Sequence, residues 1–286
     1  MKPEIKDIRP SPIAGTWYPG NPQKLRASVE GYLAAATVPE LPGEVVGLVV
    51  PHAGHIYSGP VAAHAFNAIK SKQFDIVVIV SPSHQYYREA ILTSAHQAYA
   101  TPLGTIPIDK PLVVAISQHI SQALGFGMEP IANDEEHSLE IELPFLQVVL
   151  KQPFSLVPVM LRDQSPSTAH ALADAIAGNI KGKNVLLIAS SDLSHFHSET
   201  QANRLDQVIL DQVADFNPDG LYTVHAAGAG EACGLGAIAT ILWASRTLGA
   251  DQVQVLNHNT SAAITGDTHS VVGYGAAVIT RSNQET

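Results

Sequence analysis

Three strongly apolar segments run directly into residues that can do chemistry. Val49-Val50 leads into Pro51-His52-Ala53-Gly54, and Ile79-Val80 into Ser81-Pro82-Ser83-His84. Ile188-Ala189 leads into Ser190-Ser191-Asp192-Leu193-Ser194-His195. If each apolar run is a buried strand, each delivers a histidine just past its C-terminal end. In open α/β sheets that edge is where ligands bind. Imidazoles gathered there have two uses: neutral imidazole is the commonest metal ligand, and it is also a good general base. Asp192, three residues before His195, is placed to orient that ring.

The single cysteine lies in Gly230-Glu231-Ala232-Cys233-Gly234-Leu235-Gly236, where a helix is expected to open. A helix N-terminus favours the thiolate, the form that ligates metal or attacks. The alternative is a small buried cysteine with no chemical role. Asp134 to Pro144 enters a helix and carries His137, Glu140 and Glu142. These are acid/base groups, or an acidic start that suits the helix macrodipole; His137 stands out among them. His55, Tyr57 and Ser58 follow His52 in a loop between glycines, which either lines a pocket or turns the chain. Trp17 and Tyr18 read as packing residues or as a lid. His64, His96, His119, His170, His225, His258 and His269 suggest no role.

The elements that must position these groups alternate along the chain. Helices are expected over 22–35, 61–70, 111–124, 139–151, 166–180, 199–216 and 235–248. Ser165 is the expected N-cap of the 166–180 helix, and Pro60 stands near the first turn of the 61–70 helix. Strands are expected over 45–50, 76–80, 154–160, 185–189, 253–256 and 271–279. Their Val/Ile/Leu runs are continuous, which implies strands covered on both faces. The expected fold is therefore a single α/β domain over residues 1–286, with a central, mostly parallel or mixed sheet flanked by helices. The Pro-rich first 20 or so residues are expected to wrap the surface.

Composition narrows the function classes. The chain has 286 residues, 45% of them hydrophobic and only 15% charged, which argues against disorder. Its net charge of −10 would repel a phosphate backbone and an anionic membrane surface. Neither nucleic acid nor membrane is an expected partner. One cysteine cannot form an intramolecular disulfide. The N-terminus leads into no apolar stretch of a secretory signal, and a cytoplasmic location is expected.

Taken together, these segments resemble a known family. Ala14-Gly15-Thr16-Trp17-Tyr18-Pro19, Pro51-His52-Ala53-Gly54 with Tyr57-Ser58-Gly59, Ser81-Pro82-Ser83-His84, Asp134 through Pro144, Ser190-Ser191-Asp192 with His195, and Cys233-Gly234 follow in the family's order. The pattern is similar to the Memo family, whose microbial members are also called AmmeMemoRadiSam system protein B. The resemblance implies a fold similar to class III extradiol dioxygenases, enzymes that hold non-haem iron(II) with two histidines and a carboxylate. It further implies His52, His84 and Cys233 as metal ligands, His195 as the acid/base residue, and Asp192 and His137 close by. Glu231 is a carboxylate substitute for the third ligand. A cysteine in that place departs from the two-His-one-carboxylate set and shifts the preference toward zinc, copper or thiolate-bound iron. The implied function is a metal-dependent redox enzyme, with iron(II) first and copper or zinc as alternatives. The rivals are a protein that captures a small molecule or peptide in the His/Cys pocket without turnover, and a zinc hydrolase.

Overall fold

The computed structural model describes residues 5–282; the expectations drawn on the first four residues and the last four lie outside it. In chain order the elements are β1 (Ile8–Arg9), α1 (Pro22–Ala35), β2 (Gly43–Val50), α2 (His55–Ala68), β3 (Ile76–Pro82), β4 (Ile91–Ser94), β5 (Ala98–Thr101) and β6 (Gly104–Pro107). Next come α3 (Lys110–Leu124), β7 (Glu129–Ile131), a 3₁₀ turn (Glu140–Glu142), α4 (Leu143–Val149), β8 (Ser155–Leu161), α5 (Pro166–Ile180), β9 (Val185–Ser190) and β10 (His195–His197). The chain ends with α6 (Glu199–Ala214), α7 (Pro218–Ala226), α8 (Leu235–Thr247), β11 (Gln252–Thr260), α9 (Ala262–Thr265) and β12 (Val271–Ser282).

The fold is α/β. The main sheet has the order β10-β12-β2-β9-β3-β8-β4-β7, with β11 also paired to β12. Its centre, β2-β9-β3-β8, is parallel, while β12 and β4 join antiparallel, so the sheet is mixed. A small second sheet holds β1, β5 and β6. The central strands are the continuous apolar runs, and Val78 and Leu187 are wholly buried. Helices cover both faces because such strands have no polar face to show to water.

Several helix starts follow from side-chain capping. Asn21, Asp109, Ser165, Ser198 and Asn217 each accept a bond from a backbone N–H in the first turn of their helix, satisfying a donor the helix itself cannot. Two helices differ from expectation. The one expected from residue 61 begins at His55, with Pro60 inside it. The helix forgoes one backbone bond there, and Gly59 lets α1 approach, since a Cβ on it would meet the Tyr32 ring at 2.8 Å. The helix expected over 139–151 is a 3₁₀ turn followed by the short α4, with Pro144 in α4's first turn. That turn is what carries Glu140 and Glu142 inward.

The N-terminal segment does not merely wrap the surface. Arg9, Ile13 and Tyr18 are buried. Arg9 donates to Asp134 Oδ1 at 2.7 Å and Oδ2 at 2.9 Å, and to Glu140 Oε2 at 2.5 Å. Tyr18 and Ser11 also donate to Glu140. A buried carboxylate needs such partners, and this network anchors the segment that presents His137.

Candidate metal centre

The parallel core strands place their C-terminal ends on one edge. β2 delivers His52, β3 delivers His84 and β9 leads to Asp192 and His195. From the far side of the sequence, the segment after Asn133, itself at φ +54°, brings in Glu136 and His137. The ligand-capable atoms of His52, His84 and His137 all lie within 4.8 Å of one another. Among the described residues this is the group of three or more His, Cys, Asp or Glu side chains close enough to share an ion.

Each ring is held from behind. His52 Nδ1 meets Ser190 Oγ at 2.9 Å. Glu136 Oε1 accepts from His84 Nδ1 at 2.9 Å, and Oε2 accepts from the His84 backbone N–H at 2.5 Å. The same carboxylate accepts from the backbone of His137 and Ser138. In both His52 and His84 the engaged nitrogen is Nδ1, which leaves Nε2 facing the cluster. This matches the outer carboxylate or hydroxyl partners that orient metal-ligating histidines. Trp17 stacks on His137 with ring centroids 4.0 Å apart, so the tryptophan is a wall of the site.

The electrostatics favour uncharged rings. Burial, then the charges of His137 and His84, push His52 well below its usual range. Burial likewise takes His137 down to about 4 and lowers His195. Burial alone would raise Glu136, but the hydrogen bond and charge of His84 outweigh it and hold the carboxylate ionised. Neutral imidazoles beside a fixed carboxylate form a donor set suited to zinc, copper, iron or nickel.

Cys233 stands beside this group. Its sulfur is 3.1 Å from His52 Nε2, but the third member of the clustered set is the His137 imidazole. The Cys233 loop is drawn against the end of β9: Gly234 N–H donates to Ser191 Oγ at 2.9 Å, and a Cβ on Gly234 would fall 2.6 Å from the Ser190 carbonyl. Burial pushes the thiol up, which opposes the thiolate expected at a helix start.

Two expected roles are corrected. Asp192 does not orient His195. Its Oδ1 accepts from the backbone N–H of His52 at 2.7 Å and of Ala53 at 3.2 Å, while His195 Nδ1 bonds to the Leu193 carbonyl. The aspartate therefore shapes the loop that carries His52, and burial raises it to about 7. Glu231 faces His197, with Oε2 2.9 Å from its Nε2, and not the clustered histidines. Glu140 is committed to Arg9 and Tyr18, and Glu142 contacts Ser190. Of the loop after His52, His55 donates from Nε2 to the Ile141 carbonyl and Ser58 bonds Ala53, so both are structural. Glu136 is the residue of this cluster that the sequence did not single out. It sits in the flagged acidic run, but nothing in that run marks it out from Glu135.

Residues 9–278 match the family model described as Memo-like protein. The chain belongs to the Memo family. Curated relatives described as MEMO1 family proteins agree along nearly the full length. The one from Thermotoga maritima is 36% identical, covering 93% of this chain and 98% of its own. The one from Nitrosopumilus maritimus is 31% identical, covering 94% and 98%. A solved structure of an uncharacterized protein from Escherichia coli K12 aligns with a TM-score of 0.49 at 12% identity, over 81% of this chain and 99% of that one. In this Memo-family chain no helix among the described residues is long and apolar enough to cross a membrane.

Proposed function

We propose that the chain is a mononuclear metalloenzyme of redox type, and the observation that carries this reading is the convergence of His52, His84 and His137 within 4.8 Å. His52 and His84 are the common ligands. One further donor, His137 or Cys233, completes a three-ligand set and leaves the fourth position open for oxidant or substrate. Nitrogen and sulfur ligands at about 2.0 and 2.3 Å from a tetrahedral ion lie about 3.5 Å apart, close to the 3.1 Å between His52 Nε2 and Cys233 Sγ. Iron(II) or copper bound there would supply one-electron exchange with oxygen or a reactive oxygen species; zinc fits the same nitrogen donors and would make the site hydrolytic.

The protein's own groups do the rest. His195 donates from Nδ1 to the Leu193 carbonyl, which leaves Nε2 as the basic nitrogen. Burial keeps that ring uncharged at neutral pH, so it can take a proton from a substrate and return it. Trp17 and the loop after His52 form one side of a groove of about 450 Å³ that includes Ala53, Gly54, Ile56 and Tyr57 and has no charged residue in its lining. The groove favours a small molecule or short peptide presenting an apolar group, and it is the observation behind the second reading, capture without turnover.

Anaerobically iron-loaded protein should react with oxygen or peroxide faster than free iron in the same buffer. His195→Gln should slow that reaction by about 10²-fold or more at unchanged metal content. Equal rates for bound and free iron would replace the enzyme reading with the binding one.

A further inference from the structure

Glu142 is a fully buried carboxyl with no part in the chemistry above, and the hydrogen bonds around Ser190 give it one. The Ser190 hydroxyl touches three groups: the Ser138 carbonyl at 2.5 Å, His52 Nδ1 at 2.9 Å and Glu142 Oε1 at 3.0 Å. A hydroxyl carries one proton, and a backbone carbonyl can only accept. The serine proton therefore goes to Ser138. The two remaining contacts must bring their own protons, N–H from His52 and O–H from Glu142.

From this count we infer that Glu142 is a neutral acid which, through Ser190, fixes His52 as the tautomer protonated on Nδ1, with Nε2 bare toward the cluster. Glu142 is a positioning residue. The inference rests on the reading of His52 as a metal ligand for its consequence; the proton count stands apart from it.

The surroundings of Glu142 agree. Glu142 is 1% exposed, and among the described residues no cation pairs with it. Burial lifts its carboxyl well above the usual range; the Ser190 bond opposes this and the Asp192 charge adds to it. On the other side of the ring, Cys233 Sγ lies 3.1 Å from Nε2. Nε2 is therefore the ring nitrogen turned away from Ser190 and toward the cluster. An ionised Glu142 would compete for the single serine proton, leaving the Ser138 carbonyl without its donor in a dry site. A neutral acid gives all four groups a consistent partner.

The test begins on metal-free wild-type protein. Nitrogen-15 NMR of labelled histidine at pH 7, with the His52 signals identified by their loss in His52→Gln, should show protonated Nδ1 and bare Nε2. Infrared difference spectra of wild type against Glu142→Gln should show a protonated carboxyl band. The second arm is zinc(II) affinity by competition with a chelating dye. Glu142→Gln, which still donates N–H to Ser190, should keep the wild-type affinity. Glu142→Leu, which cannot donate, should lose about 10–100-fold, the usual effect of an outer-shell partner. Ser190→Ala should lose a similar amount and should scramble the tautomer. A bare Nδ1 in the wild type, an ionised Glu142 at pH 7, or a Glu142→Gln variant as weak as a folded Glu142→Leu would overturn the inference. Wild-type protein that binds no zinc but shows the stated tautomer would instead overturn the metal-centre reading.

Discussion

Glu136 accepts from His84 twice, at Nδ1 and at the backbone N–H, with distances of 2.9 and 2.5 Å. One buried carboxylate thus sets both the ring and the loop of a histidine whose side chain is itself 38% exposed. An exposed ring would otherwise sample several rotamers. Glu136→Ala should therefore lower metal affinity by about 10–100-fold while His84 remains in place. Isothermal titration with zinc(II) measures this; unchanged affinity would show that His84 orients itself.

The Arg9 network makes a stability prediction. Arg9 and Glu140 are both essentially inaccessible. Removing the guanidinium strands two buried carboxylates, and breaking such a pair costs about 3–5 kcal/mol. Arg9→Met should show this loss in urea unfolding, together with weakened metal binding, because Asp134 and Glu140 flank the segment that presents His137. A loss below about 1 kcal/mol, the range of a surface pair, would mean the network is solvated.

Val78 tests the sheet. It is fully buried in β3 between β8 and β9. Val78→Ala should cost about 1–3 kcal/mol from lost transfer energy and a cavity. A change under a few tenths, measured by chemical denaturation, would mean the strand faces water.

How much of this was legible in the sequence depended on how local each signal was. The strand-end histidines were readable because a continuous apolar run fixes a buried strand, and its next polar residue must emerge at the edge. Arg9 was not readable: its partners Asp134 and Glu140 lie 125 and 131 positions away, and a lone arginine in a Pro-rich stretch looks like surface. Asp192 was placed beside the site but given the wrong partner. Its three-residue spacing to His195 suggested a contact, whereas the loop turns the carboxylate toward the His52 and Ala53 N–H groups. The helix over 139–151 failed because Pro144 starts a new helix and does not continue one. Cys233 stood out as the single thiol, but which donor completes a group around His52 and His84 depends on loop geometry that periodicity does not encode.

Acid should destabilise the metal-free protein through its buried histidines. Burial lowers His55 to about 4, against about 6.5 in the unfolded chain. Between these values the unfolded state binds the extra proton, so stability is full above about 6.5 and falls as pH drops toward 4. One such group contributes on the order of 3 kcal/mol across that window. Urea midpoints at pH 7, 5.5 and 4 should fall in that order, and His55→Gln should flatten the acid limb. A slope unchanged by His55→Gln would assign the acid sensitivity to other groups.

The central claim is that the strand-end histidines hold one metal ion. Metal per chain after identical anaerobic loading and desalting tests it most directly, on the wild type and on His52→Ala, His84→Ala, His137→Ala, Cys233→Ala and His195→Ala. The account predicts about one ion per chain in the wild type, none retained in His52→Ala or His84→Ala, reduced retention in His137→Ala and Cys233→Ala, and near-full occupancy in His195→Ala. Full occupancy in His52→Ala or His84→Ala would contradict it.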